Sequence, residues 1–442
     1  MKQRKLIELV CLLKQLDDDL IKCMKCGMCQ AVCPLYKTSF MEPDVARGKL
    51  VLISHLVNEL ISSPEKVSKI VNKCLLCGSC AANCPSGVDV VKIFLKTRVI
   101  IAKFFKLSFV ERLILRDIVA KPRLFEAIFN IAARTQKLFV QEQNPTLGSA
   151  SCKIPFLTML KDRHFVPPKK NTFHKQMAQK QSISEKNKIG IFAGCLVDKF
   201  FPEIGLSIVK ILDELEMGYL VPDTQICCGI PAISSGDLQS FKSMVAQLIN
   251  LYPVDELDYI VTPCASCTST LKKIWPMFLK EFNEQQQEKI LSISAKVMDI
   301  SEFLIQKTNV AKKFKTHINS EQKIKITYHD PCHLKKSLNI YKEPRQIIKL
   351  NSRYELVEMQ DSDACCGMGG SFNLKHYEIS KEIGLKKLEN IIKTEAKVIA
   401  TSCPACMLQL IDMLSHRNVD IMVRHPIQIL QEEKSCGPHR KI

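Results

Sequence analysis

The chain has 442 residues, with 63 Lys or Arg against 45 Asp or Glu and a formal net charge of +18. That length allows about three domains with cores of their own, and 21 cysteines in such a chain are too few for a small disulfide scaffold. No run approaches 18 uncharged apolar residues, so the sequence predicts no membrane-spanning helix.

The N-terminus has a basic start, but Glu8 interrupts its apolar run and Asp17, Asp18 and Asp19 follow. With no small-residue cleavage site, this stretch is expected to be a short amphipathic helix rather than a signal peptide. Cys23, Cys26, Cys29 and Cys33-Pro34 then follow the C-x2-C-x2-C-x3-C-P spacing. The same run recurs at Cys74, Cys77, Cys80 and Cys84-Pro85, each cysteine displaced by 51 positions. In paired runs of this kind the three close cysteines hold one [4Fe–4S] cluster and the fourth serves the other. The expected sets are Cys23, Cys26, Cys29 with Cys84, and Cys74, Cys77, Cys80 with Cys33. Gly27 and Gly78 let the backbone close around a cluster. Zinc also uses C-x2-C, but a duplicated eight-cysteine pattern with both prolines points to iron and sulfide.

Between the two runs the sequence predicts helices over 44–61, opened by Pro43, and over 63–72, with Ser63 as cap and Pro64 in the first turn. From 90 to about 140 apolar residues recur at helical period, including Ile93, Phe94, Val99, Ile100, Phe104 and Phe105. Lys92, Lys96, Arg98, Lys103 and Lys106 stand between them. Residues 91–190 carry 20 Lys and Arg against 6 Asp and Glu. Such a stretch is either packing surface for a neighbouring domain or a face laid on an anionic membrane, and its charge suits an acidic partner or a solvated surface. Residues 141–187 lose periodicity and read as a linker.

From residue 188 short apolar runs alternate with helical patterns, which implies parallel sheets whose ligands gather at the carboxyl ends of strands. Strands are expected over 189–193, before Cys227, 259–262, 324–328, 354–358 and 397–401, with helices over 202–216 and 238–251. Five cysteines follow these strand ends in each of two copies: Cys195, Cys227, Cys228, Cys264, Cys267 and Cys332, Cys365, Cys366, Cys403, Cys406. The offset between copies is 137, 138 and 139 residues at successive motifs. Gly229 and Gly367 after the adjacent pairs allow both thiols of a pair to face one site. An iron–sulfur cluster in each copy is the favoured expectation, with zinc on four of the five thiolates the alternative. His329 and His333 flank Cys332; either could ligate or donate a proton there, but the favoured expectation is a hydrogen bond that supports the ligands. Cys11, Cys152 and Cys436 fall outside every motif.

The two ferredoxin runs followed by two Cys-Cys-Gly repeats resemble the iron–sulfur subunits of glycolate oxidase and lactate dehydrogenase. These are relatives of the heterodisulfide reductases, whose duplicated cysteine-rich unit is the CCG domain. His329-Asp330-Pro331-Cys332-His333-Leu334 and Cys365-Cys366-Gly367-Met368-Gly369-Gly370 match that group further. The resemblance implies an α+β multidomain protein: an N-terminal all-α two-cluster ferredoxin domain over 1–95, then two repeated α/β CCG domains with parallel sheets over 188–315 and 316–442. A basic helical segment and linker over 96–187 joins them. It also implies an electron-transfer subunit of a flavin-dependent 2-hydroxyacid dehydrogenase, taking electrons from a FAD-binding subunit to a quinone. That places it in the cytoplasm, with peripheral contact at the inner face of the membrane. The alternative it implies is an enzyme whose CCG cluster performs thiol–disulfide chemistry. No G-x-G-x-x-G at a strand-to-helix turn and no G-x4-G-K-[ST] is present, so a flavin site is expected on another chain. No nucleic-acid-binding module accompanies the basic stretch.

Overall fold

The computed structural model describes residues 3–61, 63–153, 162–177, 188–314 and 323–432. The chain divides into two units. The first comprises Met1–Lys121, Gly229–Met244 and Ala364–Leu385; the second comprises Pro122–Cys228, Val245–Asp363 and Lys386–Ile442.

The first unit is helical. The expected N-terminal helix is α1 (Gln3–Leu13); α2 (Ala46–Val57) and α4 (Val90–Phe104) pack against it, and α3 (Pro64–Asn72) packs against α2 and α4. Leu9, Leu13, Ile53, Leu56, Val71, Ile93, Phe94 and Leu95 are fully buried among them. The predicted helix over 44–61 is shorter than expected. Glu42–Asp44 forms a separate tight turn, Val45 is extended, and regular helix begins only at Ala46. Helix α3 opens at Pro64 as predicted, although Ser63 makes no side-chain capping bond. Ile93, Phe94, Val99 and Ile100 on α4 are buried, so this apolar stripe is packing surface and not a membrane face. After α4 comes α5 (Phe109–Arg112), fixed by a capping box between Ser108 and Glu111 and continued as a wider turn over Leu113–Val119.

The second unit holds two four-stranded parallel sheets of the same topology. Helix α6 (Pro122–Phe139) opens it. A hairpin of β1 (Val140–Asn144) and β2 (Ser149–Cys152) follows where the sequence reads as linker. Ser149 and Ala150 are buried there, so the segment carries structure despite its polar composition. The rest of the expected linker is described only over 162–177. In the first sheet β3 (Ile189–Ile191) lies between β4 (Tyr219–Leu220) and β5 (Tyr259–Thr262), with β6 (Val297–Asp299) beyond β5. In the second, β7 (Ile324–Tyr328) lies between β8 (Tyr354–Leu356) and β9 (Val398–Ala400), with β10 (Met422–Arg424) beyond β9. The registers match in kind: Ile189 pairs with Tyr219 and Tyr259, as Ile324 pairs with Tyr354 and Ile326 with Val398. Ile326, Tyr328, Val398 and Ala400 form the floor of the second sheet's core with Ile348 and Ile429. The chain is thus an α+β multidomain protein with a helical N-terminal module and two α/β repeats.

The sequence boundaries at 188 and 316 do not mark the grouping of the chain, because segments 229–244 and 364–385 belong with the N-terminal module. Their contacts explain it. Ser234 and Asp237 are bonded by Arg98 and Arg116, and Phe372 and Ile383 pack with Leu35 and Leu75.

Candidate functional site

The eight N-terminal cysteines line two cavities in the first unit. Cys23, Cys26, Cys29 and Cys84 line one small cavity with Arg47, Leu50 and Val88. Cys33, Cys74, Cys77 and Cys80 line a second with Lys49, Asp44 and Phe94. Cys80 also reaches the wall of the first. These are the two sets that the spacing groups, crossed at the fourth cysteine. In each run the chain curls around its cavity through a pair of left-handed residues: Lys25 and Gly27 (φ +56° and +87°), and Leu76 and Gly78 (φ +54° and +72°). A left-handed lysine or leucine is uncommon and strained. That the same two positions carry it in both runs ties the strain to enclosing the cavity.

The donor set fits an iron–sulfur cluster. The first cavity is lined by five thiol sulfurs and the second by four, Cys80 being common to both, and the Asp44 carboxylate in the second is already taken by Lys73 at 2.8 Å. Burial pushes the Cys33 thiol up to about 12, and raises Cys29 and, further, Cys80. Four thiolates in such a space require a cationic core that the polypeptide does not supply. Buried cations stand nearby. Lys49 donates to the carbonyls of Pro43 (2.9 Å) and Asp44 (2.6 Å), and burial lowers its pKa. Arg98 is 4 % exposed and donates to the carbonyls of Val71 (2.9 Å), Asn72 (3.1 Å), Cys74 (2.8 Å) and Ser234 (2.6 Å). Its bonds go to carbonyls rather than to a carboxylate, and burial lowers its pKa. In sequence Arg98 reads as one of the basic residues set between apolar ones. In the helix it shares the buried face, four residues after Phe94 and three before Ile101, and that spacing was the available signal. Gly236 meets Arg98 on the other side: at φ +82° a Cβ there would lie 2.5 Å from the Arg98 carbonyl oxygen.

The CCG cysteines sit where strands end. In the first copy Cys195 lies in α7 (Gly194–Phe200) after β3, and Cys227 and Cys228 follow β4. Cys264 caps α8 (Ala265–Ser269) after β5, with Cys267 in its first turn. Cys227 is within hydrogen-bonding reach of Cys195 and Cys228, Cys267 of Cys228 and Cys264, and Cys264 of Cys403. All five thiols of the first copy therefore converge, and the second copy's Cys403 and Cys406 continue the row. The copies meet through bonds from the Ala265 amide to the Ser402 carbonyl (3.0 Å) and between Ser266 Oγ and Cys403 Sγ (3.5 Å). Bonds from Cys195 and Cys228, together with burial, hold Cys227 well above the usual thiol range. Cys403 lies well below it, because Cys264 and Cys406 donate to it. Cys332 begins α9 (Cys332–Leu338) after β7, and Cys403 caps α10 (Pro404–His416) after β9. Cys365 and Cys366 lie in segment 364–385 of the first unit and are buried, Cys365 among Leu35, Leu75, Phe372 and Ile383. His333 Nδ1 pairs with Ser266 Oγ at 3.1 Å. Cys11 is exposed and Cys152 half-buried on β2; Cys436 lies outside the described residues.

Residues 19–88 match the 4Fe-4S dicluster domain, and residues 189–272 and 326–411 each match the cysteine-rich CCG domain. Lactate utilization protein A 2 of Bacillus cereus is 30 % identical over 243 residues, 55 % of this chain and 97 % of that protein. This chain belongs to the CCG family of iron–sulfur proteins. A probable glycolate oxidase iron–sulfur subunit of Bacillus subtilis is 28 % identical over 407 residues, 89 % of each chain. A fumarate reductase (CoM/CoB) subunit of Methanothermobacter marburgensis is 35 % identical over 245 residues, 55 % of this chain but only 46 % of that protein. As a CCG-family member the chain is an iron–sulfur protein with an electron-transfer role in an oxidoreductase setting. Among its described residues no helix is long and apolar enough to cross a membrane.

Proposed function

We propose that this CCG-family chain is the electron-transfer iron–sulfur subunit of a flavin-dependent 2-hydroxyacid dehydrogenase. It would work between a FAD-binding partner that oxidises glycolate or lactate and a quinone acceptor. The observation that supports this reading is the gathering of eight thiols around two cavities, with Cys80 on the wall of both. Cys23, Cys26, Cys29 and Cys84 are assigned to one [4Fe–4S] cluster, and Cys74, Cys77, Cys80 and Cys33 to the other. Cys195, Cys227, Cys228, Cys264 and Cys267 are assigned to metal in the first CCG copy, and Cys332, Cys365, Cys366, Cys403 and Cys406 in the second. When bound, the clusters supply one-electron carriage, whereas oxidising a 2-hydroxyacid needs a two-electron cofactor such as flavin. The chain's own residues desolvate the sulfurs and place Arg47, Lys49 and Arg98 beside them, positive charge that favours the more negative, reduced state.

Peripheral membrane contact, and with it a cytoplasmic place, is supported by a corner of the first unit that α5 forms. Phe109, Val110 and Leu113 are 72 %, 53 % and 43 % exposed there. Beside them opens a broad cleft lined by Lys103, Lys106, Arg112, Arg116 and Lys242. Five cations thus share the cleft with the single carboxylate of Asp237, which Arg116 engages at 3.0 Å. Apolar prongs next to such an excess of positive charge suit an anionic leaflet.

The test is reduction of the anaerobically purified protein, mixed with a FAD-binding 2-hydroxyacid dehydrogenase, by lactate or glycolate. Bleaching of the iron–sulfur absorbance by either acid is expected. Bleaching only by a dithiol–disulfide couple would favour a second reading, that a CCG site itself cleaves a disulfide. The row of thiols from Cys195 to Cys406, continuous across the two copies, is what supports that second reading.

A further inference from the structure

Carboxylates elsewhere in the first unit each have a cation of their own. Lys22 and Lys92 hold Asp19, Arg47 holds Glu42 at 2.7 Å, and Lys73 holds Asp44 at 2.8 Å. The cleft beside α5 breaks this balance. Lys103 comes to it from the last turn of α4, Lys106 from just beyond, Arg112 from α5, Arg116 from the wider turn that follows, and Lys242 from the helix Leu238–Leu248. Against these five cations the lining holds one carboxylate, Asp237, an excess of four charges. Asp237 is already committed: Arg116 donates to its two oxygens at 3.0 and 3.2 Å, and Ser240 at 2.8 Å through Oγ and 3.3 Å through its amide. The neighbouring acids are not on the cleft wall. Glu111 pairs with Lys375, and Asp117 with Lys121 at 2.9 Å.

Shape and patterning say what kind of anion suits it. The cleft has a volume of about 640 Å³, and Val99, Ala102, Leu107 and Leu238 supply apolar wall between the cations. That is the size of a site for a small molecule, and a concavity with low-dielectric walls focuses the field of its charges on an anion. Guanidinium groups pair with phosphate oxygens in a two-pronged fork. One phosphodiester carries a single charge, however, and would leave most of the excess unbalanced. The chain around α5 is also two-sided. Phe109 and Leu113 stand a turn apart on its exposed side with Val110, whereas Arg112 and Arg116 stand a turn apart on the side that lines the cleft. A soluble anion would engage the cations and leave the apolar residues in water. An amphiphile with a multiply charged head satisfies both.

We propose that this cleft is a headgroup site for an anionic phospholipid that carries two phosphates, as diphosphatidylglycerol does. Lys103, Lys106, Arg112 and Lys242 bind the phosphates, Arg116 is held in place by Asp237, and Phe109, Val110 and Leu113 enter the acyl layer beside the bound head. This rests on the reading of peripheral membrane contact and sharpens it. Attraction to an anionic leaflet in general follows surface charge alone. A built site tells one headgroup from another at equal surface charge.

The experiment uses the full chain purified anaerobically with its native metals. It is titrated with phosphatidylcholine vesicles containing either diphosphatidylglycerol or twice the mole fraction of phosphatidylglycerol, so that both surfaces carry the same charge. Binding to the two-phosphate lipid should be tighter by at least about fivefold, the effect of one further cation engaged. Lys103→Gln with Lys106→Gln, and separately Lys242→Gln, should lose that preference while keeping the Tm and the cluster absorbance. Phe109→Ser should weaken binding to both surfaces by the same factor and keep the preference. Inorganic pyrophosphate presents the same chemistry in soluble form, and at equal phosphate concentration it should not displace the protein from the vesicles. Equal binding to the two matched surfaces, a preference that survives the lysine substitutions, or displacement by pyrophosphate overturns the proposal. Equal binding would leave peripheral membrane contact standing, whereas no binding to any vesicle would remove that contact and this site together.

Discussion

Replacing Arg98 by Met would test how far a single buried cation organises the N-terminal unit. The side chain makes four bonds of 2.6–3.1 Å to the carbonyls of Val71, Asn72, Cys74 and Ser234. Methionine fills most of the volume and removes the cost of burying a charge, but it leaves four acceptors with no donor. Each buried, unsatisfied group costs about 1–3 kcal/mol, and the relieved desolvation offsets part of the sum. The net loss is about 3–5 kcal/mol, in line with breaking other buried charged networks. For a unit of 150–250 residues, that corresponds to an apparent Tm lower by about 6–20 °C. Arg98→Lys, which keeps the charge but cannot span four carbonyls, should fall between. Because the cation bonds the carbonyl of Cys74, the methionine variant should also lower the reduction potential of the second cluster and leave the first nearly in place. Differential scanning calorimetry and an EPR-monitored redox titration read both effects. An Arg98→Met protein with unchanged Tm and unchanged potentials would refute the reasoning.

Gly236→Ala, whose Cβ would lie 2.5 Å from the Arg98 carbonyl at φ +82°, should destabilise by about 2–4 kcal/mol through backbone strain and overpacking; a thermal melt checks it. His425 is fully buried, and burial lowers its pKa to about 3. The unfolded chain therefore takes up a proton below about pH 6.5 that the folded state refuses. Its contribution to stability should be complete above that pH and fall by about 1.4 kcal/mol per pH unit toward pH 3, so the acid slope in denaturant titrations should be shallower by about that amount in His425→Asn. Phe109→Asp should leave the fold intact and weaken co-sedimentation with phosphatidylglycerol vesicles severalfold, as should Lys103→Glu with Lys106→Glu. Vesicles of phosphatidylcholine alone should bind none of these proteins, and equal binding to both lipids would remove the support for an anionic leaflet.

Much of the fold was legible because burial forces continuous apolar runs on central parallel strands. β5 and β7 fall on the residues expected, and α3 begins at the proline that sterics allow only in a first turn. The edge strands β6 and β10 gave no such signal: each has three residues, and each includes a charged one, Asp299 or Arg424. The hairpin at Val140–Cys152 was hidden by its polar composition, since its buried positions are serine and alanine. Cysteine spacing singled out the eight N-terminal thiols that line the two cavities. It could not reveal that Cys264 and Cys403 adjoin, because that contact joins residues 139 positions apart.

The crossed sharing of the fourth cysteine is the sharpest consequence of the account, because chain proximity argues the opposite way: Cys33 is four residues from Cys29 and 41 from Cys74. EPR of anaerobically prepared Cys33→Ser and Cys84→Ser proteins tests it directly. The account predicts that Cys33→Ser perturbs the cluster signal that Cys77→Ser removes, and that Cys84→Ser perturbs the one lost in Cys26→Ser. If Cys33→Ser instead acts on the Cys26 signal, or if the wild-type protein holds no iron and sulfide, the account is contradicted.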